Sequence, residues 1–92
     1  MIDRARHLRQ ILVAEIGEAG QARIAAAEAR VLGEGFAHEV AARFADGAGF
    51  ARLVPGTIDE AELAPSFVTL PAVRAVLAGS RAALGEIRRA LG

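Results

Sequence analysis

The chain contains no cysteine, lysine, asparagine, tryptophan or tyrosine among its 92 residues. Without cysteine it cannot form a disulfide, use a thiolate nucleophile or bind zinc through sulfur. Without lysine it lacks a compact ammonium group, whose chemistry arginine does not reproduce. These absences exclude several kinds of enzyme site before any motif is considered.

The chain has no excess of positive or negative charge, because 11 basic residues balance 11 acidic ones. A net charge of zero gives no overall field that would attract nucleic acid or anionic lipid. No apolar run is long enough to span a bilayer, and the N-terminal sequence does not have the pattern of a signal peptide. We therefore expect a cytoplasmic protein with no membrane association and no nucleic-acid partner.

Aromatic residues are scarce, since four phenylalanines are the only ones, although 53% of the residues are hydrophobic. Most of the apolar content is alanine, which favours helices and lets them approach closely. A chain of this length forms one small domain, here residues 1–92, with a thin core that oligomerisation often supplements.

The N-terminal third predicts two helices. The first carries a single apolar stripe at helical spacing, formed by Leu8, Ile11, Leu12 and Ile16. Gly17 is a plausible stop for this helix. The second helix is predicted from about Glu18 to Leu32, with Gly33 as its C-cap residue.

The middle of the chain predicts a third helix over 36–45, with a ridge formed by Phe36, Val40 and Phe44. A turn at 46–49 separates this helix from a strand over 50–54. We expect this strand to pair with 67–69 or across a dimer. Asp59 is placed to cap a short helical turn that ends at Leu63.

The last helix is the clearest element. Thr69 is the predicted N-cap, and Pro71 lies in the first turn, where its missing N–H does no harm. The predicted core stripe is Val73, Val76, Leu77, Leu84, Ile87 and Leu91. Gly79 and Gly85 weaken the helix, which indicates close packing or a bend.

Two further patterns on this helix have a functional interpretation. Arg74, Arg81 and Arg88 recur every seven residues, which is typical of a solvated helix face and, less often, of an RNA- or phosphate-binding stripe. Ala75, Ala78 and Ala82 form a row of small residues suited to a helix–helix seam, within the chain or across a dimer.

Residues 6–21, RHLRQILVAEIGEAGQ, resemble the start of the ThiF/MoeB/HesA family, the bacterial relatives of ubiquitin-activating enzymes. In that family an "RYSRQILLPEIGEEGQ"-like segment leads into a strand and a glycine loop. A weaker match continues through 29–35, ARVLGEG, then 39–41 and 49–54.

The resemblance implies a dimer that adenylates the C-terminal glycine of a ubiquitin-like sulfur carrier with ATP and magnesium. It implies that Arg9 reaches across the dimer to the phosphates of the nucleotide. It also implies that Gly33 and Gly35 let the backbone approach these phosphates at a helix N-terminus.

The chain departs from the family pattern at most of the remaining site. Val31 and Leu32 are too short a strand, and Glu34 adds a negative charge beside the expected phosphates. His38 stands at the third glycine position, where we expect it to crowd the packing of helix against strand. Pro55 to Thr57 replace the ribose-binding Asp. Asp59 or Glu60 aligns only loosely with the magnesium carboxylate. The catalytic Asn, Lys and Cys are absent.

These observations favour a mainly α domain of four to five short helices with at most one small β element. The alternative is a miniature α/β relic of a Rossmann-like adenylation domain, with two short parallel strands around the third helix. We expect no metal site, because His7 and His38 have no spaced carboxylate partner.

For function, the sequence favours a non-catalytic module that self-associates or binds a protein partner, without a cofactor. Its predicted interface is the stripe formed by Leu8, Ile11, Leu12 and Ile16. The alternative is an ATP- and magnesium-binding fragment that a partner completes, in which Arg9, Gly33 and Gly35 contact the nucleotide.

Overall fold

The computed structural model describes residues 4–92, with side chains described for Ala14 and for 16–92. The elements in chain order are α1 Arg4–Ala26, β1 Glu28–Leu32, α2 Phe36–Ala48, β2 Arg52–Pro55, α3 Glu60–Leu63 and α4 Pro71–Leu91. The predicted fold class, mainly α with one small β element, is confirmed. Among these residues, no helix combines the length and the hydropathy needed to cross a bilayer.

Helix α1 breaks at Gly17, where φ is 84° and ψ is 172°. The predicted stop is therefore present. The prediction that the second helix runs to Leu32 is wrong, because the helix ends at Ala26 and a strand begins at Glu28. Ala29 and Val31 are buried while their neighbours are exposed, which is the two-residue period of a half-buried strand.

The two strands pair in parallel, from Glu28 opposite Arg52 to Leu32 opposite Pro55, with a register shift after Arg30. The prediction that 50–54 pairs with 67–69 is wrong, since β2 pairs with β1, while pairing across a dimer stays a prediction. The small β element is thus a β-α-β unit around α2, the arrangement that the alternative fold describes. A strand with one exposed face tolerates Glu28 and Arg30, so β1 needs no long apolar run.

Helix α2 continues three residues past its predicted end, to Ala48, so the prediction of a turn at 46–49 is wrong. Gly49 ends it in the left-handed conformation, with φ of 103°, and its N–H donates to the carbonyl oxygens of Ala45 and Asp46. This is a common glycine helix end.

Alanine supplies half of the main core cluster, which consists of Ile24, Ala29, Val31, Ala41, Ala45, Ala48, Phe50 and Ile87. Helices α2 and α4 pack closely at Gly79. A Cβ there would overlap the carbonyl oxygen of Ala37 and come within 2.8 Å of the Val40 Cβ. The predicted close packing at this glycine is confirmed, whereas Gly85 faces open space.

The predicted core stripe of α4 is wrong for Val73, Val76 and Leu84, which are exposed. The residues that α4 buries are instead Ala75, Ala78, Gly79, Ala83, Glu86 and Ile87. Small residues face α2 because they allow the close approach at Gly79, and this rotates the larger side chains toward solvent.

The ends of the two C-terminal helices differ in how they are capped. In α4, Leu70 and not Thr69 occupies the N-cap position, and Pro71 lies in the first turn as predicted. Asp59 caps α3, as predicted, by accepting a hydrogen bond from the Glu62 N–H at 3.3 Å.

Candidate functional site

The glycine turn between β1 and α2 is the place where the resemblance implies phosphate binding. Gly35 is the N-cap of α2, with φ of 106° and ψ of 165°, and no side chain caps this helix end. The first N–H groups of a helix have no partner within the helix, so they can bind an anion. The turn therefore has the backbone geometry for a phosphate, and Gly33 and Gly35 lie together in it.

His38 occupies the space beneath this turn. Its Nδ1–H donates to the carbonyl oxygen of Val31 at 2.7 Å. A Cβ at Gly33 would lie 2.6 Å from the imidazole ring, so the ring packs directly against this glycine. The crowding expected from a histidine at the third glycine position is present, and it fixes His38 in a structural role within the turn.

An ion-pair cluster ties β1 to α4, and the sequence interpretation missed it. The Glu86 carboxylate accepts hydrogen bonds from the backbone N–H of Arg30 at 2.7 Å and from its guanidinium at 3.0 Å. Arg89 donates to the same carboxylate at 3.2 Å and to the carbonyl oxygen of Glu28 at 2.9 Å. The sequence feature that could have revealed this cluster is a single acidic residue, Glu86, among the small residues of α4.

Burial alone would raise the pKa of Glu86, since its side chain is only 10% exposed. The hydrogen bonds from Arg30 and Arg89 outweigh this effect and lower the pKa from 4.5 to about 2. Glu86 therefore stays ionised at neutral pH and has no proton to donate. Its chemistry in this cluster is structural.

The cluster closes the outer edge of β1. The carbonyl oxygen of Glu28 and the N–H of Arg30 are both bonded to α4 side chains and not to β2. In doubly wound folds the nucleotide lies where strands flank the first strand on both sides. In this chain, α4 side chains occupy the edge where the second neighbour would pair.

The segment after β2 contains the residues that aligned loosely with a magnesium carboxylate. Asp59 uses its side chain to cap α3, and Glu60 forms an ion pair with Arg74, with 3.5 Å between Oε1 and Nε. Within residues whose side chains are described, no three His, Asp or Glu residues come together as a metal site would require.

The arginine row of α4 holds the preceding segment in place. Arg74 donates to the carbonyl oxygens of Pro65, Val68 and Glu60. Arg81 donates to the carbonyl oxygen of Leu63 at 2.7 Å. Two of the three regularly spaced arginines are therefore engaged within the chain, which disfavours the interpretation as a phosphate-binding stripe.

An exposed apolar surface follows α2 and α4. We define it as Phe36 and Phe44 of α2 with Val73, Val76 and Leu84 of α4, which are 39–49% exposed. The two rows meet where Val40, between the phenylalanines, lies against Gly79. Single exposed apolar residues are ordinary, but five on two packed helices are typical of an interaction site.

The predicted interface stripe is described in part. Ile16 is half-buried and packs against the core that contains Ile24 and Ile87. The side chains of Leu8, Ile11 and Leu12 lie outside the described residues, and so does that of Arg9. The roles assigned to these four residues stay predictions.

No protein-family model matches this sequence, and no curated protein or solved structure is significantly similar to it. The resemblance of residues 6–21 to the ThiF/MoeB/HesA family therefore also stays a prediction.

Proposed function

We propose that this protein is a non-catalytic module, derived from a ThiF/MoeB-like adenylating enzyme, that self-associates. The exposed apolar surface on α2 and α4 carries the proposal. These side chains are 39–49% exposed, so removing the rest of each from water contributes about 1 kcal/mol, and five of them together favour association. A second copy is the occupant we propose.

The closed edge of β1 supports a non-catalytic role. Glu86 and Arg89 hold the backbone of Glu28 and Arg30, so a further strand can pair there only after these hydrogen bonds break. A partner that completed a doubly wound sheet on this side would first have to displace a buried, ionised carboxylate, which is costly.

The proposal predicts a reversible oligomer in sedimentation velocity over a range of protein concentrations. We expect Leu84→Gln to weaken self-association at least about tenfold, because it removes one large apolar contact from the interface. Leu32→Gln is the matched control, since Leu32 is 39% exposed but lies on β1, outside the apolar surface. A wild-type protein that remains monomeric at every concentration would contradict the proposal.

The predicted N-terminal stripe can be tested in the same experiment. A Leu12→Gln variant that weakens association as strongly as Leu84→Gln would place both segments in the interface. If only the Leu12 variant weakens it, the interface is the N-terminal stripe and the surface on α2 and α4 is not.

A second candidate function rests on the glycine turn. The β-α-β unit, the positive φ of Gly35 and the uncapped N-terminus of α2 favour a partner-completed fragment that binds ATP and magnesium. This candidate predicts ATP binding in calorimetry, strengthened by magnesium and weakened by Arg9→Ala. Clear binding with this dependence would favour the fragment over the non-catalytic module.

A further inference from the structure

A cavity of about 420 Å³ lies between β1, α4 and the segment that follows β2. Its lining residues are Arg30, Gly56, Thr57, Leu63, Ala82 and Glu86. The volume is within the range of about 300–1,000 Å³ that is typical of small-molecule pockets. The cavity shares no residue with the glycine turn or with the apolar surface on α2 and α4.

The charged end of the cavity has an unused hydrogen-bond donor. Arg30 directs Nε and Nη2 at Glu86, whereas its Nη1 has no hydrogen-bond partner among the residues described. Because the guanidinium is planar, the two bonds to Glu86 also fix the direction of Nη1. Arg30, whose side chain is 56% exposed, therefore offers a donor of fixed direction and permanent charge among the residues that line the cavity.

The nearby carboxylate does not cancel this charge. Glu86 accepts hydrogen bonds from the backbone and guanidinium of Arg30 and from Arg89. Two guanidinium groups against one carboxylate leave one positive charge in the cluster. Since the oxygens of Glu86 already have their donors, a ligand gains more from the free Nη1 of Arg30 than from Glu86.

The rest of the lining is suited to a small ligand with a short apolar part. Leu63 and Ala82 provide apolar contact, and Thr57 adds a hydroxyl group. Gly56 has no room for a side chain, because a Cβ there would overlap the carbonyl oxygen of Arg30. The wall at Gly56 is therefore bare backbone held against β1.

We propose that this cavity binds small monoanions with a short aliphatic tail, of which a short-chain carboxylate is the simplest example. The carboxylate accepts hydrogen bonds from Arg30 Nη1 and the Thr57 hydroxyl, and the tail packs on Leu63 and Ala82. The proposal does not depend on self-association.

A titration followed by ¹H–¹⁵N NMR tests the site, with sodium butyrate as the probe. We expect saturable shifts at the amides of Gly56, Thr57 and Leu63 and at the Arg30 Nε–H, with a Kd of about 1 mM for so small a ligand. Butyramide, which has the same tail without the charge, should bind at least about tenfold more weakly. Inorganic phosphate, which has the charge without the tail, should also bind more weakly.

Two variants test the polar end and the apolar end of the cavity separately. Thr57→Val should weaken butyrate binding by removing the hydroxyl at constant shape, and Ala82→Leu should weaken it by filling the apolar end. Arg43→Gln, at an exposed arginine of α2 outside the cavity, should leave binding unchanged. A native amide spectrum for each variant shows that the fold is intact.

Three results would overturn the proposal: no saturable shift, equal binding of butyrate and butyramide, or shifts spread over the exposed arginines. Unchanged butyrate binding by both cavity variants would also exclude this site. None of these results affects the sedimentation experiment, so this inference and the proposed self-association can fail separately.

Discussion

The Glu86→Gln variant is expected to lose about 2 kcal/mol of its free energy of unfolding at neutral pH, because Glu86 loses its charge-assisted hydrogen bonds to two half-exposed, partly screened arginines. Glutamine has the right shape but no charge. Its amide N–H₂ would face the donors of Arg30 and Arg89, so these two half-exposed guanidinium groups lose their charged acceptor. Urea unfolding monitored by circular dichroism measures the change.

The Glu86 carboxylate also makes the stability of the protein depend on pH. The pKa of Glu86 is lowered from 4.5 to about 2 in the folded protein, so the unfolded chain binds the proton more tightly. The contribution is therefore fully present above about pH 4.5 and is lost as the pH falls toward 2. Glu86→Gln should remove this part of the pH dependence, so the free energy of unfolding of the variant should change less between pH 4.5 and about 2.

Glu28→Gln is the matched control. Glu28 also forms an ion pair, with Arg52 at 3.0 Å, but both side chains are well exposed. Surface pairs contribute about 0–1 kcal/mol, so this variant should lose little stability. Equal losses for the two variants would show that Glu86 does not hold α4 to β1 as described.

Gly79→Ala is the second large effect that we expect, with a loss of about 2 kcal/mol, as is typical when a well-packed interface is overfilled. The added methyl group would overlap the carbonyl oxygen of Ala37, which belongs to the backbone of α2 and cannot rotate away. The helices must then separate, and the small residues beside the contact lose their packing. Thermal unfolding measures the loss.

For Gly85→Ala in the same helix we expect the opposite change in stability. A Cβ at Gly85 meets no atom within 4 Å, so the change adds helix propensity without a clash. It should raise stability by up to about 1 kcal/mol. If Gly79→Ala is also stabilising, then α2 and α4 are not in the close contact that the structure shows.

The elements marked by local chemistry could be predicted from the sequence. The break at Gly17, the start of α2 after Gly35 and Asp59 as the cap of α3 each depend on residues within one turn of the chain. Strand β1 could not be predicted in this way, because its polar residues are stabilised from elsewhere. Arg30 depends on Glu86, 56 residues further along the chain.

The face that α4 buries was mispredicted for a related reason. Hydrophobic periodicity ranks Val73, Val76 and Leu84 above alanine and glycine, so it turns these residues inward. Packing follows fit and not hydrophobicity alone: Gly79 and Ala75 allow α2 to approach, and the larger side chains remain on the flank. The apolar surface proposed as an interface is therefore a feature that periodicity assigns to the core.

The candidate site could be predicted only in its local part. Gly33, Gly35 and His38 are close in sequence, and their crowding was expected from the motif. The cavity could not be predicted, because its lining brings together the end of β2, Arg30 and Glu86, which are far apart in the chain.

The hydrogen bonds at the outer edge of β1 also bear on aggregation. An unpaired strand edge is a template for other chains, and proteins protect such edges with charged side chains, short strands and proline. Glu86 and Arg89 protect one edge of this sheet. On the other edge, that of β2, Gly56 donates its N–H to the carbonyl oxygen of Leu32, so Pro55 faces away from β1. Proline has no N–H with which another strand could pair. We therefore expect concentrated protein to associate through its helices into small assemblies rather than to grow fibrils by strand addition.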